Sequence, residues 1–218
     1  MLVLGDAHAA DPEKRAALER AYAATDETVA LQVGDLQWYD PPVETYFIAG
    51  NNEDFDVVDA LRTGEEPPAE ADVGAVHLLA SDVVEVEGLR IAGLSGNFAP
   101  TRFEKERREL SGDRRRHFVA AEVEAAKDLS DVDVFLSHEA PHGLLEKGGY
   151  DVGCKHVDAI LRAVEPALCL VGHHHEAAES RFGQTRVVSL APAWEHYYTL
   201  EPETLALSSY DTPPLESE

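Results

Sequence analysis

The stretch Ala167-Leu168-Cys169-Leu170-Val171-Gly172-His173-His174-His175 decides the fold, because an unbroken apolar run ends on a glycine and three imidazoles. A short apolar run bounded by a turn residue reads as a buried strand. Open α/β sheets carry their chemistry at the carboxyl ends of such strands, where loops leave a rigid scaffold and polar side chains converge. Working outward, the same arrangement recurs. Leu2 to Leu4 runs into Asp6 and His8, Val29 to Val33 into Gly34 and Asp35, Tyr46 to Ala49 into Gly50 and Asn51, and Val132 to Leu136 into His138.

The segments between these runs fit an alternating α/β chain. Asp11-Pro12-Glu13 caps a helix that continues to about Ala24, with Ala16, Leu18, Ala21 and Tyr22 on one face. A strand, a helix and a second strand predict parallel neighbours whose loops leave on the same edge, bringing Asp6 and Asp35 together. Phe55 to Leu61 reads as a short helix and the Pro- and Glu-rich stretch Gly64 to Asp72 as an exposed loop. Val83 to Ile91 alternates about Gly88 as a hairpin. Thr101 to Asp128 reads as charged and mostly helical, with Phe118, Val119, Ala121, Val123 and Ala126 inward. Asp158 to Val164 is helical, and strands follow near Thr185 to Leu190 and Tyr197 to Leu200.

The 218 residues, 44% of them apolar, suit one domain over residues 1–210, with 211–218 as a frayed tail. A net charge of −24 implies a surface covered with solvated carboxylates. Self-repulsion on that scale is best tolerated in a salt-rich, halophilic interior, although an ordinary acidic protein is the plainer reading. Such a surface matches duplex nucleic acid poorly. No apolar run approaches the roughly 20 residues that span a bilayer, and no signal-peptide pattern follows Met1, so a cytoplasmic protein with no membrane partner is expected. Cys154 and Cys169 are expected to be free thiols.

Asp6, His8, Asp35, Asn51, His138, His173 and His175 make a ring of oxygen and nitrogen ligands at strand ends. That number suits two divalent metal ions, and ligation without thiolates favours Mn, Fe or Zn. A carboxylate shared by two cations about 3.5–4 Å apart clamps a phosphate and generates a hydroxide nucleophile at neutral pH. Alternation along an extended backbone turns His174 away from the ligand set. His117, beside Arg114, Arg115 and Arg116, is a candidate substrate contact, set against a merely solvated basic face.

Taken in order, Asp6-Ala7-His8, Gly34-Asp35, Gly50-Asn51-Asn52-Glu53, His138 and Gly172-His173-His174-His175 resemble the signature of the calcineurin-like metallophosphoesterases over nearly the whole chain. The resemblance implies an α/β/β/α sandwich, two mixed sheets face to face with helices outside. It also implies that Asp6, His8 and His175 hold one metal, that Asn51, His138 and His173 hold the other, and that Asp35 bridges both.

Gly34-Asp35-Leu36-Gln37, Pro42 to Gly50, Gly93-Leu94-Ser95-Gly96 and Phe135-Leu136-Ser137-His138 further resemble the catalytic region of the RNA lariat debranching enzymes. The chain lacks room for the carboxyl-terminal region of those enzymes, so branched RNA is one possible substrate among phosphodiesters, nucleotides and phosphomonoesters. Asn52 departs from the family's Gly-Asn-His-Asp/Glu motif, whose histidine stabilises the transition state or protonates the leaving oxygen. An amide cannot supply that proton. The reading is a metal-dependent phosphoesterase, a phosphodiesterase by preference, with Asn52 in the catalytic position. The rival is a catalytically weak scaffold of the same fold acting in protein assembly.

Overall fold

A computed structural model describes residues 1–215. In chain order the elements begin β1 (Leu2–Leu4), α1 (Pro12–Ala23), β2 (Val29–Gln32), β3 (Glu44–Phe47), α2 (Phe55–Thr63), β4 (Val76–Leu78), β5 (Val83–Val86) and β6 (Leu89–Leu94). They continue with α3 (Ala120–Lys127), β7 (Val134–Ser137), β8 (Glu146–Lys147), β9 (Tyr150–Asp151), α4 (Lys155–Val164) and β10 (Leu168–Val171). The last strands are β11 (Ala178–Phe182), β12 (Thr185–Ser189), β13 (His196–Glu201) and β14 (Ala206–Asp211).

Two six-stranded sheets result, in the orders β14-β13-β1-β2-β3-β4 and β11-β12-β10-β7-β6-β5. In the first, β1 to β4 are parallel, β13 runs antiparallel to β1 and β14 antiparallel to β13. In the second, β12, β10, β7 and β6 are parallel, with antiparallel β11 and β5 at the edges.

Side-chain alternation assembles the layers, since successive strand residues face opposite sides of a sheet. Val3 and Leu31 point between the sheets toward Val134, Leu136, Leu168 and Leu170, whereas Leu2, Leu4 and Ala30 pack beneath Leu18, Ala21 and Val57 of α1 and α2. On the far side Phe135, Cys169 and Val171 meet Val123, Val157, Ile160 and Leu161 of α3 and α4. This is the expected α/β/β/α sandwich. Each completely buried Leu or Ile contributes about 1.5–3 kcal/mol, so these three apolar layers rather than surface ion pairs hold the fold.

The stretch 101–128 corrects one expectation. Only α3 is an α-helix there, preceded by short 3-10 turns at Arg107–Glu109 and Gly112–Arg116. Gly112 sits at φ 55°, and Arg107 donates to the Arg115 and His117 carbonyls, at 2.7 and 2.9 Å, satisfying groups that a helix would have paired internally. Because α3 starts at Ala120, its buried face is Val123 and Ala126, continuing Phe118 and Val119, and Ala121 is exposed. At the other end of the chain Thr212 N donates to the Glu195 carbonyl at 2.9 Å and Arg20 Nε to the Pro213 carbonyl at 2.6 Å. Residues 216–218, part of the expected tail, lie outside the described residues. Cys154 and Cys169 are buried and free, and among the described residues no helix is long and apolar enough to cross a membrane.

Candidate metal centre

Every predicted ligand follows the carboxyl end of a parallel strand: Asp6 and His8 after β1, Asp35 after β2, Asn51 after β3, His138 after β7, and His173 and His175 after β10. The two sheets therefore present their ligand loops at one edge. Asp35 binds the first loop directly, its carbonyl accepting from Ala7 N at 3.2 Å and His8 N at 2.7 Å.

The glycines explain how the loops come so close. A Cβ on Gly50 would overlap the Asp35 carboxylate, one on Gly172 the Asp6 carboxylate, and one on Gly34 the His138 ring. Gly34 also adopts φ 106°, where a side chain would be strained. Four of the ligand candidates themselves take left-handed backbone: His8 (φ 48°), Asp35 (φ 55°), His173 (φ 71°) and His175 (φ 52°). Each such residue costs about 1–3 kcal/mol, a strain that concentrates at functional sites.

Two groups of candidate ligands form. In the first, atoms of Asp6, His8 and His175 all lie within 4.8 Å of one another. Asp6 Oδ2 is buried with no aligned hydrogen bond, 2.9 Å from His175 Nε2, and the Nε2 atoms of His8 and His175 face each other at 3.3 Å. In the second, Asn51 Oδ1 is 3.0 Å from His138 Nε2, and the His138 and His173 ring centroids are 4.8 Å apart. Asp35 stands between them, Oδ2 3.4 Å from His8 Nε2 and Oδ1 3.7 Å from His138 Nε2.

His138 Nδ1 faces the Val33 carbonyl at 2.9 Å. A carbonyl only accepts, so Nδ1 carries a proton and, in the neutral ring, Nε2 presents its lone pair to Asn51 and Asp35. Convergent lone pairs of this kind, with an orphaned buried carboxylate oxygen, are a donor set that a cation satisfies. The residues present fit divalent metal.

Charge and burial reinforce that fit at Asp6, His8 and His173, whereas at His138 the charge pattern favours the protonated ring, whose added proton a cation would have to displace. Burial opposes ionisation of Asp6, but the His175 and His138 rings and the His173 N–H outweigh it and hold the carboxyl below its usual range. Burial lowers the imidazoles of His8 and His173, against the pull of the nearby carboxylates, which favours the neutral ligating form. For His138 burial works in the same sense, but Asp6 and Asp35 outweigh it and raise the ring above its ordinary value.

His174 does not follow the simple alternation expected of an extended backbone. The left-handed residues on either side form a turn in which His174 N donates to the Gly172 carbonyl at 2.8 Å. Its ring lies edge-on to His173 at 4.9 Å, and burial, helped by His173 and Lys147, pushes it down to about 4.

Asn52 turns toward Asp35. Its backbone N–H donates to Asp35 Oδ1 at 2.7 Å and its amide to Asp35 Oδ2 at 2.8 Å. His117 is half-buried, with Nδ1 2.8 Å from Asn97 Oδ1, and is not among the residues lining the cavity beside Asn51 and Asn52.

Sequence reasoning missed three neighbours of the site. Glu53 is half-buried and accepts from Leu36 N, Gln37 N, Gly50 N and the Tyr39 hydroxyl at 2.7–3.3 Å, tying the loops after β2 and β3 together. Burial pushes its carboxyl up to about 7. Trp194 packs against His8 and His175, with ring centroids 5.7 and 5.2 Å away. Arg116 lines the cavity beside Asn51 and Asn52. Glu53 was visible as the acidic end of the Gly50-Asn51-Asn52-Glu53 motif and Arg116 as part of the basic run beside His117, without a role of its own; Trp194 carries no local signal.

The sequence matches the calcineurin-like phosphoesterase family over residues 1–177. It is 31% identical to the lariat debranching enzyme of Drosophila melanogaster over 158 residues, 62% of this chain and 29% of that protein. It is 25% identical to the lariat debranching enzyme of Entamoeba histolytica over 186 residues, 73% of this chain and 51% of that protein. The match thus spans between about a third and a half of these relatives' length. Among solved structures, TT1561 of Thermus thermophilus superposes with a TM-score of 0.64 at 18% identity, covering 97% of this chain and 99% of its own. Another superposes with a TM-score of 0.71 at 16% identity, covering 97% and 98%. These likenesses show the fold.

Proposed function

The chain belongs to the calcineurin-like phosphoesterase family, and from that premise we propose that it is a dinuclear metal-dependent phosphodiesterase. Asp6, His8 and His175 would hold one divalent ion, Asn51, His138 and His173 the other, and Asp35 would bridge them. The observation that carries this reading is the position of Asp35, one carboxylate oxygen toward His8 and the other toward His138, at 3.4 and 3.7 Å. Mn, Fe and Zn all suit the mixed nitrogen and oxygen donors.

When bound, the cations supply Lewis-acid stabilisation of the phosphoryl oxygens and activation of water for in-line attack. The chain's own residues set the geometry for that chemistry. Asn52 fixes the Asp35 carboxylate through two hydrogen bonds. The Val33 carbonyl fixes the His138 tautomer, and Glu53 locks the loops that deliver Asp35 and Asn51.

A diester is preferred to a monoester because it brings a single negative charge into a protein of net charge −24, where a dianion meets greater repulsion. The lariat debranching relatives point to a nucleotide or RNA phosphodiester within that class.

The test is hydrolysis of bis(p-nitrophenyl) phosphate and p-nitrophenyl phosphate by Mn²⁺-loaded protein, beside Asp35→Ala. The wild type should turn over the diester faster, and Asp35→Ala should fall to background with reduced metal content and an intact fold. Full activity in Asp35→Ala would contradict the two-metal reading. An inert, metal-poor wild type would favour the scaffold.

A further inference from the structure

The geometry points to Arg116 as a substrate-binding cation that donates to a non-bridging oxygen of the scissile phosphate, an assignment that rests on the phosphodiesterase reading above. In the family pattern a histidine follows the asparagine ligand and faces the phosphate. Here Asn52 holds that position and spends its amide on Asp35. A cavity of about 240 Å³ opens beside it, and Asn51, Asn52, Gln37, Phe55, Asp113 and Arg116 are among its lining residues.

The neighbouring arginines are committed elsewhere or absent from this wall. Arg115 is paired with Asp56 at 2.7 Å and Asp59 at 3.0 Å, and Arg107 with Glu122 at 2.6 Å. Arg116 donates Nε to the Asp113 carbonyl at 2.8 Å, and its nearest carboxylate, also Asp113, is 3.8 Å away and 90% exposed. A solvated partner at that distance screens little of the guanidinium charge. Terminal N–H groups therefore remain for an anion, in the planar fork that suits phosphate oxygens.

Arg116 is also held in place relative to the site. Its carbonyl accepts from Asn97 N at 3.0 Å, and a Cβ on Gly96 would run into the same carbonyl. Gly96 N in turn donates to the Ala49 carbonyl at 2.7 Å, two residues before Asn51. The turn bearing Arg116 is thus bolted to the loop bearing Asn51. A guanidinium cannot protonate a leaving group, but placed this way it stabilises charge that develops on the phosphoryl oxygens.

The test is calorimetric titration of inorganic phosphate into Mn²⁺-loaded wild type, Arg116→Ala, Arg116→Lys and Arg114→Ala, with kcat/KM on bis(p-nitrophenyl) phosphate measured in parallel. Phosphate affinity should fall about 10-fold or more in Arg116→Ala and less in Arg116→Lys, with Arg114→Ala like wild type. The kcat/KM should fall about 10²-fold in Arg116→Ala, the low end of losses for removing one charge-stabilising donor, with unchanged metal content. Should Arg116→Ala lose its cooperative melt, Arg116→Lys and Arg116→Gln carry the comparison. Equal phosphate affinity in wild type and the folded Arg116 variants would overturn the assignment. If no variant or wild type hydrolyses either ester, the phosphodiesterase reading fails, while the phosphate titration still decides whether Arg116 binds the anion.

Discussion

At the residue scale, the informative position is Asn52. Its amide fixes Asp35 at 2.8 Å and offers no transferable proton. Asn52→His should therefore help substrates whose leaving oxygen needs protonation. Alkyl or nucleoside phosphodiesters should gain roughly 10²-fold, the low end of general-acid contributions, and a nitrophenyl ester little; the ratio of kcat/KM values reads the difference. Equal gains on both would assign the imidazole to charge stabilisation, and no gain would mean that another group already fills the role. The candidate ligands were legible in the sequence because each sits at the end of an apolar run. Their left-handed backbone at His173 and His175 was not; this loop packs on Asp6, where Gly172 leaves no room for a Cβ, a contact between residues far apart in the chain. The orientation of Asn52 was hidden for the same reason.

At the element scale, the parallel strands could be read because their burial on both faces leaves continuous apolar runs. Polar edge strands such as β11 and β14 could not, as their pairing is fixed by a neighbour rather than by their own pattern. The stretch 101–128 misled because helix-forming charged residues there are claimed by Arg107, which pairs with Glu122 and with two backbone carbonyls. The loops after β2 and β3 depend on Glu53, which accepts four hydrogen bonds from them. Glu53→Ala leaves three backbone N–H groups without that acceptor, at about 1–3 kcal/mol for each that stays buried and unsatisfied. At the lower cost, and with about 2–4 °C of melting temperature per kcal/mol in a chain of this size, a fall of roughly 6–12 °C should follow, with weakened metal binding. An unchanged melting temperature by calorimetry would show that these loops hold themselves.

For the whole molecule, the four-layer sandwich presents seven ligand candidates at one edge, within a chain of net charge −24. Carboxylate repulsion on that surface is screened over a Debye length that shrinks from about 10 Å at 0.1 M salt to about 3 Å at 1 M. We expect the melting temperature to rise by more than about 5 °C between 0.1 M and molar KCl, equivalent to roughly 1–2 kcal/mol. A flat profile would remove the salt-adapted interpretation of the charge. The central claim is that two cations share Asp35. Anomalous diffraction from crystals grown with Mn²⁺ tests it directly: the account predicts two peaks about 3.5–4 Å apart on either side of the Asp35 carboxylate, whereas a single peak, or none touching Asp35, would contradict it.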